Sequence, residues 1–256
     1  MPELEIRGLT IGTGTPKLIV PIVGKTQHEI LADATQIVAT APDLIEWRAD
    51  FYDDVLSEKG LKDTLGKLRS ILQNIPLIFT LRTSSEGGKI QISDEKYSDL
   101  LKFVATIRDA DIIDVELFRW KGKIAELVDA IHDRNGLVIM SNHDFHATPE
   151  KTEIVSRLRK MQDVGGDLLK IAVMPQSVND VIVLMGATNE MATKYGQKPL
   201  VTMSMGGLGV ISRLAGEVFG SSMTFGSVGK KSAPGQIPVS KLRLCLETIH
   251  DAQSLG

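Results

Sequence analysis

Short apolar runs of the kind that form buried strands recur along this chain of 256 residues. Successive runs begin about 24 to 35 residues apart, which is the length of one strand and one helix with their turns. Stretches with helical spacing of apolar residues lie between them. The runs cover residues 17–23, 44–51, 77–81, 112–117, 137–141, 167–173, 199–204 and 223–225. This rhythm predicts an α/β fold.

Eight strand–helix units in about 240 residues predict that residues 1–256 form a single (β/α)8 TIM barrel domain. The main alternative is an open doubly wound sheet. The glycine pattern typical of nucleotide-binding sheets is missing, because Val23-Gly24-Lys25-Thr26 after the first run has one glycine. Residues 4–14 alternate weakly and contain turn residues. We expect them to form an N-terminal β-hairpin that closes the bottom of the barrel.

The charge balance and the single cysteine exclude several classes of function. The chain has 29 basic and 32 acidic residues, so its formal charge of -3 gives no general reason to bind nucleic acid or an anionic membrane. Its longest strongly apolar run, residues 181–187, is shorter than the roughly 20 residues that cross a bilayer. One cysteine excludes an internal disulfide framework and a cysteine-based zinc cluster. The polar N-terminus resembles neither a signal peptide nor a transit peptide, so we expect a cytoplasmic protein.

Polar residues interrupt the apolar runs near their C-terminal ends. Barrel strands are buried on both faces, so polar side chains there need a structural or functional reason. Residues two apart lie on one face of a strand, and four runs end with such a polar pair. The pairs are Glu46 and Arg48, Thr80 and Arg82, Asp114 and Glu116, and Ser141 and His143. Because barrels place their active sites at the C-terminal ends of the strands, we expect a site there.

Lys170 lies inside the sixth apolar run, between Leu169 and Ile171. Lysine is rarely fully buried, because removing an ammonium group from water is costly. One interpretation is a lysine that extends to the rim or pairs with Glu116. The other is a lysine that forms a Schiff base with a ketone. The strand context alone leaves both interpretations open.

His143 follows the fifth run at the same end of the barrel and is either a hydrogen-bonded core histidine or an acid–base group. A metal site with Asp144, His146 and Glu116 is a further alternative, although no carboxylate at a fixed spacing completes a ligand set. We expect His146 to face solvent. Glu86, in the loop after the third run, is either a solvated acid or the carboxylate that holds an imidazole in one tautomer.

Two glycine-rich segments follow the last two runs, at residues 203–209 and 226–236. Barrels often bind phosphate at this place on backbone N–H groups. A carboxylate would suit the same place, with Arg213 as a bidentate partner. Turn formation alone is the other interpretation. Met203 and Met205 are expected to form part of the pocket wall.

Motifs along essentially the whole chain resemble those of type I 3-dehydroquinate dehydratase, the Schiff-base enzyme of the shikimate pathway. Each motif is weak alone, but their order and their positions on the predicted strands are specific. They are Glu46-Trp47-Arg48, Thr80-Leu81-Arg82-Thr83 with Glu86-Gly87-Gly88, Asp114-Val115-Glu116, Ser141-Asn142-His143-Asp144-Phe145, Lys170-Ile171-Ala172, Met203-Ser204-Met205-Gly206 and Ser232-Ala233-Pro234-Gly235-Gln236.

The resemblance implies that the chain removes water from 3-dehydroquinate to give 3-dehydroshikimate, and that this chemistry needs neither a metal nor another cofactor. It implies that Lys170 forms the imine, that His143 is the general acid and base, and that Glu86 orients His143. It also suggests a homodimer. Nucleic acid and membranes are not expected as partners.

The resemblance also implies how the substrate is bound. The residues expected to contact the ring hydroxyls are Glu46, Arg48 and Arg82. The residues expected at the carboxylate and at a closing lid, residues 230–238, are Arg213, Ser232 and Gln236.

Two other functions remain open on the residues alone. An aldolase that forms a Schiff base with a phosphorylated keto acid or sugar would share Lys170 and the glycine loops, with Arg213 binding phosphate. A catalytically inactive barrel could instead bind a small molecule or act as a scaffold. The complete set of Glu86, His143 and Lys170 argues against an inactive barrel.

Overall fold

Strands and helices alternate along the structure, a computed structural model that describes residues 2–120, 122–229 and 232–254. The strands are β1 (Leu4–Ile6), β2 (Leu9–Ile11), β3 (Lys17–Ile22), β4 (Leu44–Arg48), β5 (Leu77–Thr80), β6 (Ile112–Glu116), β7 (Leu137–Asp144), β8 (Leu168–Val173), β9 (Leu200–Ser204), β10 (Met223–Ser227) and β11 (Ile237–Pro238). The α-helices are α1 (Gln27–Val38), α2 (Glu58–Leu72), α3 (Asp94–Ile107), α4 (Ile124–His132), α5 (Lys151–Asp163), α6 (Val178–Glu190), α7 (Val210–Leu214), α8 (Gly216–Phe219) and α9 (Val239–Ser254).

Four helices, α1, α2, α3 and α6, begin where a capping side chain precedes an apolar stripe. At the start of α6 the Ser177 hydroxyl accepts a hydrogen bond from the N–H of Asp180, and the Asp180 carboxylate accepts one from the N–H of Ser177. Ser93 caps α3 by accepting a hydrogen bond from the N–H of Lys96. The apolar stripes pack against the outer faces of the strands in one core, so the helices form a layer around the sheet.

The parallel sheet closes on itself. Its strands follow the order β10-β3-β4-β5-β6-β7-β8-β9, with β11 added beside β10. The two ends of this order meet where Leu200 forms a parallel bridge with Ser221 and its carbonyl accepts a hydrogen bond from the N–H of Ser222 at 2.7 Å. The predicted (β/α)8 barrel is therefore confirmed, and the open doubly wound sheet is wrong.

Side chains inside the barrel are arranged in layers from alternate strands. The layers at the amino ends of the strands are apolar and contain Leu44, Ile112, Leu168 and Met223 from one set of strands and Ile19, Ile78, Ile139 and Val201 from the other. Two residues further along the first set, the layer consists of Glu46, Asp114, Lys170 and Phe225. The interior is thus an apolar floor beneath a charged layer, which we call the lysine layer.

The N-terminal hairpin covers this floor. β1 and β2 pair antiparallel, with Leu4 opposite Ile11 and Ile6 opposite Leu9. Ile6 and Ile11 are buried in the same cluster as the apolar interior side chains. The expected hairpin at the bottom of the barrel is confirmed. None of the helices in the described residues is long and apolar enough to span a membrane.

The strands differ from the predicted runs mainly at their C-terminal ends. β7 continues beyond the predicted end at residue 141, because Asn142 and His143 find backbone partners opposite Ile171 and Ala172 of β8. His143 therefore lies on the strand itself, on the same inward face as Ser141. β4, in contrast, stops at Arg48, since the next residues form a 3-10 turn, Ala49–Phe51.

Candidate active site

A pocket opens at the carboxyl ends of the barrel strands. All of the side chains that the sequence marked as catalytic or substrate-binding line this one pocket: Glu46, Arg48, Arg82, Glu86, His143, Lys170, Met203, Met205, Arg213, Ser232 and Gln236. Sequence reasoning missed the remaining lining residues, which are Gly87, Phe145, Ala172, Phe225 and Ala233. The roles of the individual residues remain predictions.

Lys170 is buried in the lysine layer. Its Nζ donates to Glu46 Oε1 at 3.2 Å and to Asp114 Oδ2 at 3.4 Å, and it lies 4.6 Å from the centre of the Phe225 ring. The alternative of a lysine paired with Glu116 is wrong. Glu116 belongs to the layer above, where its carboxylate accepts hydrogen bonds from other groups.

Arg82 joins the carboxylates of two layers. Its guanidinium donates to Asp114 Oδ2 at 2.7 Å, to Glu116 Oε1 at 2.9 Å and to Ser141 Oγ at 3.0 Å, and its Nη1 lies 3.5 Å from Glu86 Oε2. Burial alone would lower the pKa of Arg82, but the charges of these carboxylates outweigh it and hold the pKa well above its ordinary value. Arg82 thus stays charged and cross-links the base of the pocket.

His143 and Glu86 form a hydrogen-bonded pair at the rim. His143 Nδ1 lies 2.9 Å from Glu86 Oε2, and the same oxygen accepts the His143 backbone N–H at 2.9 Å. Burial, with the charges of Arg82, Lys170 and Arg48, holds the pKa of His143 well below its ordinary value. Burial also raises the pKa of Glu86, although Arg82 opposes the shift. Glu86 is 6% exposed, so the alternative of a solvated loop acid is wrong.

Arg48 is held by Asp50, a residue that sequence reasoning missed. Arg48 Nε and Nη2 donate to the two oxygens of Asp50 at 2.8 and 2.9 Å, and the guanidinium lies 5.1 Å from the centre of the Phe51 ring. A paired guanidinium still leaves Nη1 directed toward the last loop, where the Ser232 carbonyl is 3.5 Å away. The signal in the sequence was an acid two residues after a strand-end arginine.

Arg213 is buried without an anionic partner among the residues that the structure describes. It is 1% exposed, its Nε has no hydrogen-bond partner there, and its Nη2 donates to the Pro234 carbonyl at 3.1 Å. Its Nη1 lies 3.7 Å from Met203 Sδ. Burial lowers the pKa of Arg213 to about 10. A buried cation of this kind is suited to bind an anionic ligand.

The last loop lies over the pocket. Ser232 and Gln236 hold each other, because the Ser232 N–H donates to Gln236 Oε1 and Gln236 Nε2 donates to Ser232 Oγ, both at 2.9 Å. Gly235 has φ +79° and approaches the Gly206 carbonyl so closely that a Cβ would meet it at 2.4 Å. Lys230 and Lys231, the first residues of the expected lid, lie outside the described residues.

The metal site that the sequence left open is not assembled. Asp144 Oδ1 accepts the backbone N–H groups of His146 and Ala147, both at 2.9 Å, and His146 faces solvent as expected. Glu116 accepts from Thr83 as well as from Arg82. In the described part of the chain, no group of three or more His, Cys, Asp or Glu residues could hold a metal ion.

Comparison with known proteins agrees with this geometry. A family model described as Type I 3-dehydroquinase matches residues 18–253. A 3-dehydroquinate dehydratase of Clostridioides difficile is 48% identical over 248 residues, which is 97% of each chain. Another, from Listeria monocytogenes, is 47% identical over 98% of this chain and 99% of its own. The crystal structure of a type I 3-dehydroquinate dehydratase from Clostridium difficile with covalently modified comenic acid superposes with a TM-score of 0.95 at 47% identity, covering 98% of this chain and 100% of that one. The chain therefore belongs to the type I 3-dehydroquinase family.

Proposed function

We propose that Lys170, His143 and Arg213 divide between them the steps by which this hydro-lyase dehydrates 3-dehydroquinate to 3-dehydroshikimate in the shikimate pathway. The activity and the pathway are those of the family. The observation that best supports this division is that one pocket holds both a buried lysine amine and a buried guanidinium without an anionic partner in the described residues. A ketone that carries a carboxylate satisfies both groups.

Lys170 supplies the electron sink. Its Nζ attacks the ketone carbon, the resulting carbinolamine loses water, and the iminium that forms can accept the electrons of the neighbouring C–H bond. The ammonium must first lose a proton, and the carboxylate of Glu46, 3.2 Å from Nζ, is placed to accept it. Hydrolysis of the product imine returns the free amine.

His143 moves the protons of the elimination. Its Nε2 removes the proton from the carbon beside the iminium, and the electron pair of that C–H bond moves onto the iminium to give an enamine. The enamine nitrogen returns the pair, which forms the ring double bond as the hydroxyl on the next carbon leaves. The same imidazolium protonates the departing oxygen, so one water molecule forms and His143 is regenerated. A single base that serves both atoms requires them on one face of the ring, which makes the elimination syn.

The other lining residues hold the substrate. We assign the carboxylate to Arg213, with Ser232 and Gln236 from the loop that lies over the pocket. We assign the ring hydroxyls to Glu46, Arg48 and Arg82, which line the same pocket. Met203 and Met205 form the apolar part of the wall.

A direct test concerns the base form of His143. A base acts when unprotonated, and a pKa below its ordinary value keeps the imidazole unprotonated at lower pH. We expect kcat/KM to stay level as the pH falls to about 6.5, where a free histidine titrates, and to decrease only below that. In His143→Ala this acidic limb disappears and kcat falls by about 10²- to 10⁴-fold.

The same variant separates binding from proton transfer. His143→Ala retains Lys170, so borohydride in the presence of 3-dehydroquinate still traps an adduct, detectable by intact mass. Turnover is followed by the growth of enone absorbance. His146→Ala, at an exposed histidine, is the matched control and keeps the wild-type profile. Near-normal turnover in His143→Ala would rule out the proposed role of His143.

The aldolase and the inactive barrel are distinguished by the same assay. An aldolase breaks a carbon–carbon bond and yields two fragments, whereas dehydration produces enone absorbance as dehydroquinate disappears. An inactive barrel binds dehydroquinate without either change. Family membership favours dehydration over both.

We propose that the enzyme is a homodimer, as its family resemblance suggests, and that it works in the cytoplasm. Exposed apolar side chains gather on α6, α7 and α8 and the turn before α7: Val178, Ile182, Leu208, Ile211 and Val218. An apolar surface shared by neighbouring helices is typical of a subunit interface. A second copy of the chain is the partner that we assign to it.

The interface proposal predicts a monomeric variant. Ile182 is 62% exposed, and Ile182→Glu would bring two charges into a self-complementary interface. We expect sedimentation velocity at micromolar concentration to show a dimer for the wild type and a monomer for Ile182→Glu. Leu244→Glu, at an apolar residue on α9 that is 65% exposed, should leave the dimer intact. A dimeric Ile182→Glu variant would exclude this surface.

A further inference from the structure

We infer that Asn142 and Arg157 are positioning residues that fix the proton of the His143 ring on Nδ1 and so leave Nε2 free to act as the base. This inference rests on the proposed roles of His143 and Glu86. Neither Asn142 nor Arg157 lines the pocket. They form a chain of hydrogen bonds from the outer layer of helices to the Glu86 carboxylate.

The chain of hydrogen bonds begins on α5. Arg157 Nη1 donates to Asn142 Oδ1 at 2.9 Å, and Asn142 Nδ2 donates to Glu86 Oε1 at 3.0 Å. Asn142 is 4% exposed, on the face of β7 that is opposite to His143. Buried polar atoms require partners, and both ends of the Asn142 amide have one.

The direction of these hydrogen bonds follows from the chemistry of the groups. A guanidinium donates hydrogen bonds and never accepts them, so the Asn142 oxygen must face Arg157 and its NH₂ group must face Glu86. Glu86 Oε1 is therefore an acceptor. Glu86 Oε2 accepts the backbone N–H of His143 at 2.9 Å, so each oxygen accepts an N–H group, and such donors favour the ionised carboxylate over its protonated form. In the remaining contact, 2.9 Å between Glu86 Oε2 and His143 Nδ1, an ionised Glu86 can only accept, so Nδ1 is the donor in this state.

Arg157 is held in place from outside the pocket. Its Nε donates to Glu153 Oε1 at 2.7 Å, four residues earlier on α5, and its guanidinium lies 5.4 Å from the centre of the Phe118 ring. The Arg157 guanidinium is thus held by an ion pair at its Nε and by an aromatic ring against one face. The Arg157 side chain keeps 19% of its surface exposed, so substitutions there leave the barrel core untouched.

The surroundings of Glu86 explain why the hydrogen bond from Asn142 is needed to keep Glu86 ionised. Burial raises the pKa of Glu86 most strongly, Glu116 and Asp114 raise it further, and Arg82 opposes them, so that the pKa is about 8. The hydrogen bond from Asn142 lowers the pKa of Glu86. Without it the pKa of Glu86 rises further, so Glu86 takes up a proton more readily and donates it to Nδ1, which would move the ring proton to Nε2 and block the base. Lys170 and Arg48 also act on the imidazole, which they keep neutral in either tautomer.

The test is the tautomer of His143 in ¹⁵N NMR spectra of protein labelled on the histidine rings. The protonated and unprotonated ring nitrogens resonate far apart, and the His143 signals are assigned by their loss in His143→Ala. We expect the wild type to show a protonated Nδ1 and an unprotonated Nε2. In Asn142→Leu and Arg157→Met we expect the Nε2–H tautomer to be populated at neutral pH and to decline as the pH is raised.

Kinetics give a second readout. Outer contacts of this kind typically change activity by about 10- to 100-fold, so we expect kcat to fall about 10-fold or more in Asn142→Leu and less in Arg157→Met, with KM changed less than 2-fold. The loss should be partly recovered at higher pH. Arg157→Lys, which can still donate to Asn142, should retain the wild-type tautomer. The matched control is Arg159→Met on the same helix, whose guanidinium lies over Tyr195 and has no link to the pocket.

Each result bears on one proposal. A wild-type tautomer and wild-type kcat in both Arg157→Met and Asn142→Leu would overturn the inference. If Asn142→Leu fails to fold, Arg157→Met alone decides, because its side chain lies outside the core. If instead Glu86→Gln keeps full activity, the assigned role of Glu86 fails, and this result is independent of the NMR measurement.

Discussion

Lys170→Met is expected to lower kcat by about 10⁵-fold or more, the scale on which enzymes respond to the loss of a covalent nucleophile. Without the amine no iminium forms, and the proton beside an unactivated ketone is removed too slowly for His143 to compensate. The measurement is single-turnover kinetics by enone absorbance, combined with borohydride reduction. Reduction of the wild-type imine produces a secondary amine at Lys170, which peptide mass mapping locates, and Lys170→Met should show no adduct.

Two controls separate chemistry from folding in this experiment. Removing the ammonium leaves Glu46 and Asp114 without their shared cation, and breaking a buried ion pair costs about 3–5 kcal/mol. Circular dichroism and the Tm of Lys170→Met therefore accompany the kinetics, and Lys170→Arg keeps a cation while removing the primary amine. Lys198→Met, at a lysine 3.3 Å from Asp167 and remote from the pocket, should be trapped as efficiently as the wild type. An adduct on another lysine, or in Lys170→Met, would show that Lys170 is not the nucleophile.

The regular spacing of apolar runs predicted the barrel, because each run is a strand buried on both faces and each interval between runs contains one helix. It also predicted which end carries the site, since polar residues gather at the carboxyl ends of the runs. The alternation of side chains along a strand shows which face a residue lies on. It does not show how far along the barrel axis the residue lies, because the strands of a barrel are staggered. For this reason Glu116 was considered as a partner of Lys170, whereas its partners are Glu46 and Asp114.

The arrangement of interior side chains in layers would have shown which residues lie at the same position along the barrel axis. Interior layers draw on alternate strands, and Glu46, Asp114 and Lys170 each follow by two residues an apolar side chain of one lower layer. Counting from that floor places the three side chains together. The sequence held this information, but using it requires the apolar floor to be aligned around the whole barrel first.

The contact between Asn142 and Arg157 could not be predicted in the same way. Asn142 follows Val138 and Met140 on the outward face of β7, so a polar residue there signals a partner in the helical layer. Which residue of α5 meets it depends on the rotation and tilt of that helix, which packing in three dimensions decides. The strand pattern identifies the position, and the fold identifies the partner.

Arg213→Met is expected to have opposite effects on binding and on stability. Truncating one partner of a buried charge pair typically costs about 2–5 kcal/mol, so we expect kcat/KM for 3-dehydroquinate to fall about 10²- to 10³-fold, mainly through KM. Without ligand, the wild-type guanidinium is buried with no anionic partner in the described residues, and a pKa lowered to about 10 corresponds to roughly 3 kcal/mol of cost to its charged form. An apolar side chain of similar volume removes that cost, so the ligand-free variant should be more stable than the wild type by about 1–2 kcal/mol.

Calorimetry with and without ligand tests both halves of this prediction. For a chain of this size each kcal/mol of stability moves the Tm by about 2–4 °C. Arg213→Met without ligand should therefore melt a few degrees higher than the wild type, and its Tm should rise little with saturating ligand.

Arg69→Met is the matched control, because Arg69 is remote from the pocket and pairs with Asp111 at 2.7 Å. It should lower the Tm and leave KM unchanged, since its loss removes this ion pair and leaves the carbonyls of Asp109 and Ile75 without the hydrogen bonds that Arg69 donates. A lower Tm in Arg213→Met with unchanged KM would mean that Arg213 stabilises the fold and does not bind the carboxylate. Weaker substrate binding together with a more stable ligand-free protein is the result expected for a residue that binds the ligand but destabilises the free protein.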